Sequence, residues 1–186
     1  MAGTPLGGSS IAPNDLDSGM YVHSGNLELS ASTLTAGKRL VIKAGGTITI
    51  SGDITYADGP YGSIADIPQL ILSANNIVVA SGVNRVDAWL IANRNASSYV
   101  STCDAVTGNW LSGLNAFVCN TELRLNGPII ANHLYLRRTA GANVEHRGRP
   151  AEIVNLRPDA YMFALSDSQS FSSIRTMYSR ELPPRY

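Results

Sequence analysis

The chain is short of charge. Of its 186 residues only 15% are Asp, Glu, Lys or Arg, and fourteen basic side chains balance fourteen acidic ones. That balance removes the strong positive field on which nucleic-acid binding depends and leaves no basic patch for an anionic membrane surface. It also leaves the chain poor in the charged residues that build most helical proteins. No run of about 18 apolar residues occurs, so no membrane-spanning helix is encoded. The opening Met1-Ala2-Gly3-Thr4-Pro5-Leu6-Gly7-Gly8-Ser9-Ser10 lacks the basic and then apolar regions of a signal peptide. A chain that opens this way is either cytosolic or follows an export signal placed upstream. Phosphate loops, nucleophile elbows and zinc motifs are also missing. His23, His133 and His146 show no metal-ligand spacing with one another or with the two cysteines. No cofactor or metal is expected.

What is present is a doublet of aliphatic residues one position apart, used again and again: Leu27/Leu29, Leu40/Ile42, Ile48/Ile50, Leu70/Leu72, Ile77/Val79 and Leu123/Leu125. Alternation in short bursts is the mark of strands with one buried face. Regular return of the burst between Gly, Asn and Ser is the mark of a solenoid. Leu27 and Ile48 are 21 apart, as are Leu29 and Ile50; Leu34 to Ile54 and Leu70 to Leu90 are each 20. The expected fold is all-β: a parallel β-helix with three short strands per coil of about 20 residues. Right-handed winding is expected from the rule for parallel crossovers.

The spacing breaks twice. Leu40 to Leu70 is 30 and Leu90 to Leu123 is 33, which places insertions at 56–68 and 93–121. Residues 1–18 read as a flexible lead, 19–139 as the β-helix and 140–186 as a C-terminal cap and extended tail. Gly45, Gly46 and Gly52 stand at corners where positive φ is expected. Ile153 through Leu165 is expected to cover the open end of the last coil, with a short helix from Pro158 to Leu165. The tail from Ser166 to Tyr186 is either disordered or an extended segment able to pair with a sheet or a partner.

Cys103 and Cys119 flank a stretch rich in Gly and Asn. A disulfide closing it would contribute roughly 3 kcal/mol by restricting the unfolded chain, and would imply an oxidising compartment. The alternative is two buried thiols. Asn95-Ala96-Ser97 has the form of a glycosylation sequon. Asp53, Asp58 and Asp66 lie on or beside the first insertion and are the candidates for a carbohydrate-active acidic loop; Asp87 stands alone on its strand. The plainer reading is that these acids are solvated corner and loop residues. Tyr56, Tyr61, Tyr99, Trp110 and Phe117 sit in or beside the two insertions. Such rings either stack on a glycan or protein partner or pack the loops onto the solenoid.

The segment Arg39 to Thr55, containing Leu-Val-Ile-Lys-Ala-Gly-Gly-Thr-Ile-Thr-Ile-Ser-Gly-Asp-Ile, resembles a bactofilin coil. That likeness implies a cytosolic polymer-forming scaffold, a family without a cysteine-clamped insertion. A larger part, from about Leu70 onward, resembles exported β-helix surface proteins of the episymbiotic Patescibacteria, or Saccharibacteria. It is carried by Val86-Asp87-Ala88-Trp89-Leu90-Ile91-Ala92, the Cys103 and Cys119 pair, Leu125-Asn126-Gly127-Pro128-Ile129-Ile130-Ala131-Asn132 and Leu136-Arg137-Arg138-Thr139. Pro150-Ala151-Glu152-Ile153-Val154-Asn155 and the ending Ser179-Arg180-Glu181-Leu182-Pro183-Pro184-Arg185-Tyr186 extend it. The resemblance implies export and surface display, and no catalytic residue. The expected function is a non-enzymatic structural or adhesive surface module, partnered by further copies, another surface protein or a glycan, and capable of assembling into a filament or layer. The alternatives are a carbohydrate-binding or carbohydrate-active β-helix and the cytosolic scaffold.

Overall fold

The computed structural model describes residues 3–104, 117–139, 150–159 and 162–163. Its strands follow one another around three parallel sheets, so that every third strand returns to the same sheet. This is a parallel β-helix. The first turn holds β1 (Thr4–Pro5), β2 (Ser10–Ile11) and, on the third side, a 3-10 turn at Pro13–Asp15. The second holds β3 (Gly19–His23), β4 (Leu27–Leu29) and β5 (Ser32–Leu34); the third, β6 (Arg39–Ala44), β7 (Thr47–Ile50) and β8 (Ile54–Tyr56). The fourth has β9 (Gln69–Ser73), β10 (Asn76–Val79) and β11 (Arg85–Asp87). The fifth has β12 (Trp89–Ala92), β13 (Tyr99–Ser101) and β14 (Leu123–Asn126), and the sixth β15 (Ile129–Ala131), β16 (His133–Tyr135) and β17 (Glu152–Asn155).

Alternation sets which side chains enter. Leu27 and Leu29 are buried with Glu28 exposed between them, and Ile48 and Ile50 repeat the pattern directly above. The expected 21-residue step therefore holds. One interior column runs Leu27, Ile48, Ile77 and Val100, and another Tyr21, Ile42, Leu72 and Leu90. Each fully buried Leu or Ile adds about 1.5–3 kcal/mol by leaving water.

Two expected registers are off by two residues. Leu34 stacks on Tyr56 rather than Ile54, and Leu90 on Leu72 rather than Leu70. Corner lengths differ from turn to turn, which moves the register; a shift of two keeps every side chain on its own face, whereas a shift of one would reverse them all.

The lead expected at 1–18 is the first turn of the solenoid. Its strands pair along β3 and β4, Leu6 N donates to Val22 O at 2.9 Å, and Leu6, Ile11 and Leu16 pack on the core. Its strands are two residues long and separated by Gly7, Gly8 and Ser9, which leaves no periodicity to read, but a solenoid already formed offers an edge that needs no periodicity to be paired. Similarly, the second insertion is interrupted by β13, which lies between β10 and β16. The solenoid also continues past Thr139: Glu152–Asn155 pairs with Leu123–Asn126, so Ile153 and Val154 belong to a strand and not to a cap. Pro158, Asp159, Met162 and Phe163, the described residues of the expected helix, are helical, but Phe163 packs against Arg39 of the third turn, so no helix is seen capping the last coil among the described residues; the tail from Ser166 lies outside them.

Gly45 and Gly46 turn the corner between β6 and β7, though not through positive φ, which among the described glycines occurs at Gly19, Gly37 and Gly127. They are needed for close approach. A Cβ on Gly45 would lie 2.1 Å from Ser24 O in the turn below, and one on Gly46 2.2 Å from Asn26 Oδ1.

Candidate functional site: the clamped insertion and the corner behind it

The second insertion leaves the solenoid after β13 and returns before β14, and its stems are joined by a disulfide. Cys103 and Cys119 are both buried and bonded, with Cα atoms 6.0 Å apart. Ser101 Oγ donates to Cys103 O at 2.8 Å, and Thr139 N to Cys119 O at 2.8 Å, so each half-cystine is also fixed through its backbone. Trp110 lies outside the described residues.

Arg138 holds this corner from behind. It is buried; its Nε donates to Thr102 O at 2.6 Å and its Nη2 to Ala80 O at 2.7 Å. Nη1 serves Ser81 O and Thr121 Oγ1. Ala80 and Ser81 belong to the fourth turn, Thr102 to the fifth and Arg138 to the sixth, so one guanidinium bridges three successive turns through its fixed fork of donors. Burial pushes its pKa below the ordinary arginine value. Glu152 closes the arrangement, accepting from Arg138 N at 2.8 Å and from the Thr102 hydroxyl. Sequence reasoning missed Arg138, because Arg137 and Arg138 followed by polar residues read as the end of a strand.

A second buried polar centre forms around Asp87, at the corner where β11 gives way to β12. Its carboxylate is fully buried and accepts from Arg85 Nε at 3.0 Å, Arg85 Nη2 at 2.8 Å, Asn126 Nδ2 at 2.6 Å and Tyr56 N at 3.0 Å. Arg157 approaches it at 3.7 Å while donating to Asp159 Oδ1 at 2.8 Å. The hydrogen bonds that Arg85 donates to Asp87 raise the Arg85 pKa. Asn155 Nδ2 donates to Asn126 Oδ1 at 3.0 Å, which extends the ladder to the last turn. The expectation of a solvated Asp87 is therefore corrected. The available signal was Arg85, two positions earlier and hence on the same side of the strand.

The other candidates separate. Tyr56 is buried in the core rather than displayed: its hydroxyl accepts from Leu70 N at 2.9 Å, and burial pushes its pKa well above the usual phenol value. It stands at the strand end, where the alternation that buries Ile54 buries it too. Tyr61 is half-buried and donates to Ala57 O within its own loop. Tyr99 is half-buried on β13, edge to face with Tyr135 at 5.6 Å between ring centres. Phe117 is 82% exposed beside the disulfide.

Asp53 Oδ1 accepts from Asn84 N at 2.7 Å and Arg85 N at 3.2 Å, and Asp66 accepts from Ser63 N at 2.8 Å to cap a short 3-10 turn. Asp58 is exposed. The structure thus gives Asp53 and Asp66 separate local roles, as expected of turn acids. His23 Nδ1 lies 3.3 Å from Leu6 O and His133 Nε2 2.9 Å from Ala96 O; His146 lies outside the described residues. Asn95 Oδ1 accepts from Ser97 N and Oγ, so the sequon forms a compact exposed turn. Among the described residues no group of three or more His, Cys, Asp or Glu could hold a metal ion, and no helix is long and apolar enough to cross a membrane.

Fold and corner define a β-solenoid protein with a disulfide-clamped insertion. Comparison with known proteins finds no matching family model, no matching curated protein and no matching solved structure.

Proposed function

We propose that this protein is an exported, non-enzymatic structural or adhesive module, in which a stiff solenoid presents its clamped insertion to a partner at the cell surface. The observation that carries this reading is the Cys103–Cys119 disulfide closing the one excursion that leaves the solenoid between β13 and β14. Stable bridges of this kind belong to oxidising compartments, and the Arg138 lattice behind it holds the stems of the excursion to three turns of the rod. The likeness to surface proteins of Patescibacteria supports the same reading. A carbohydrate-active site around Asp53, Asp58 and Asp66 is less well supported, because the first and last of these already accept backbone N–H groups.

The test is accessibility on intact cells that carry the native gene. Added protease is expected to remove the protein from unbroken cells, and non-reducing mass analysis is expected to find no free thiol. Protection from protease until lysis, with two free thiols, would overturn the proposal in favour of a cytosolic scaffold.

A further inference from the structure

The outer faces of the three sheets differ in character. On the second sheet one outward column carries Thr47, Asn76, Tyr99 and His133, and on the third Thr33 lies beside Thr55 with their hydroxyl oxygens 3.0 Å apart. The first sheet, built from β1, β3, β6, β9, β12 and β15, turns apolar residues outward instead. Alternation sends Leu40, Ile42, Leu70, Leu72 and Leu90 inward, so Met20, Val41, Ile71 and Trp89 form one outward column. Val22, Lys43, Ser73, Ile91 and Ile130 form a second column beside it. Lys43 is the one charged member of the two.

The columns stand about 7 Å apart, two residues along a strand, and the longer extends about 19 Å across five strands. Two folded proteins that pair stably bury about 800 Å² on each side, far more than a stripe of this size offers. A single chain segment is the better match, since a helix with its side chains is about 10–12 Å across. The chain already approaches this face. After β17 Arg157 reaches back to Asp87, and Phe163 lies under the Arg39 guanidinium of β6, which is 5.3 Å from the ring centre. Arg39 belongs to the same outward row as Val41 and Lys43. Phe163 is 4% exposed and Asp159, four positions earlier and so on the same side of the helical turn, 7%, whereas Met162 is 38% exposed. The segment therefore arrives at the margin of the stripe with one side turned to the rod.

We propose that residues 164–186 continue onto this stripe and cover it, as a strap along one side of the rod. The sequence beyond Phe163 supplies Ile174, Met177, Tyr178 and Leu182, at the three-, four- and eight-residue spacing of one apolar face, with Arg175 and Arg180 between them. Length is sufficient in either conformation, since about 13 residues span 19 Å as a helix and about six as a strand. An apolar flank left open invites association with other surfaces, and the strap removes that hazard. The stripe contains neither half of the disulfide and no part of the clamped insertion, so this inference goes beyond the surface-module reading and holds or fails without it.

The test uses the full chain with its disulfide intact. Val41→p-benzoylphenylalanine and Ile91→p-benzoylphenylalanine each place a photo-crosslinker in the stripe, and Glu28→p-benzoylphenylalanine places one on the second sheet as a control. Illumination is expected to join positions 41 and 91 to residues within 164–186 of the same chain at every protein concentration, and position 28 to none of them. Ile174→Asp combined with Met177→Asp and Leu182→Asp, all beyond the last strand, is expected to abolish those crosslinks. In the Trp110→Phe chain Trp89 is the one remaining tryptophan, and the same triple change is expected to shift its emission to the red. Crosslinks between chains would overturn the inference in favour of a second copy, and crosslinks to 105–116 or 140–149 in favour of another segment. Absence of any crosslink to 164–186, or Trp89 emission unmoved by the triple change, would overturn it outright. Emission, read on a chain that carries no crosslinker, decides the matter even where a crosslinker variant fails to fold.

Discussion

The Arg157 guanidinium lies 4.7 Å from the centre of the Tyr56 ring. One residue follows the last strand and the other ends β8 in the third turn, so the chain leaving the solenoid runs back along its flank and is fastened there. The same guanidinium approaches the buried Asp87 carboxylate. Position in sequence and position along the rod are thus uncoupled at this point, and Asp87 is the anchor that makes the return possible.

Asp87→Ala should be among the most destabilising single changes in the molecule. It leaves Tyr56 N and Asn126 Nδ2 without their acceptor and Arg85 without its buried partner. Each buried N–H left without an acceptor costs about 1–3 kcal/mol, whereas the Arg85 side chain, 41% exposed, can turn to water. Asp87→Asn keeps an acceptor for Tyr56 N and should cost less. Chemical denaturation gives the ranking, and limited proteolysis should show the segment after Asn155 cut earlier in the alanine variant. Equal stability of all three proteins would contradict the assigned role.

Two glycines test the close-approach argument against a general dislike of substitution. Gly45→Ala drives a Cβ to 2.1 Å from the Ser24 carbonyl oxygen, backbone that has no room to yield, whereas a Cβ at Gly82 meets nothing within 4 Å. Gly45→Ala should lower stability by about 2 kcal/mol or more, in the range of overpacking and backbone strain. Gly82→Ala should be neutral or stabilise by up to about 1 kcal/mol, by reducing the freedom of the unfolded chain. Thermal melts of the two proteins should move in opposite directions or differ by several degrees.

Much of this fold was legible because burial in a solenoid repeats. Leu27/Leu29 and Ile48/Ile50 announce a strand, a face and a period together. The Leu34–Tyr56 and Leu72–Leu90 pairs show where that legibility ends, since corner lengths move the register by two residues without disturbing the alternation. Thr4–Pro5 and Ser10–Ile11 were hidden for another reason: they become strands by pairing with an existing edge, and nothing in their own residues requires it. Arg138 was missed because a charged residue in sequence gives no sign of whether it will meet solvent or three backbone carbonyls; Asp87 was legible only through Arg85, two positions earlier on the same side of the strand.

Alkaline pH should weaken the fold through Tyr56. Burial raises the pKa of its phenol in the folded state, while in the unfolded chain it titrates near 10. The folded protein therefore holds this proton to higher pH than the unfolded one, so the contribution is whole below about pH 10 and is lost as pH rises beyond it. Tyr99, also raised by burial, acts in the same direction from a more exposed position. Titration of phenolate absorbance should show one tyrosine ionising only with unfolding. Tyr56→Phe should remove that late step, at a cost of about 1–3 kcal/mol for leaving Leu70 N without its acceptor.

Reduction of the disulfide separates the insertion from the rod. The bridge joins residues 16 apart, and closing a loop of about 15 residues stabilises by about 3 kcal/mol in the chain-entropy account. Cys103→Ser with Cys119→Ser should accordingly lower the melting temperature by roughly 6–12 °C for a chain of this size. The interior columns from Leu27 to Val100 contain neither cysteine, and Arg138 still binds Thr102, Ser81 and Ala80 in the absence of the bridge. Far-ultraviolet circular dichroism at room temperature should therefore keep its β signal while the residues between the two positions become open to protease. If the β signal disappears as well, the clamp maintains the solenoid itself, and rod and insertion are not independent.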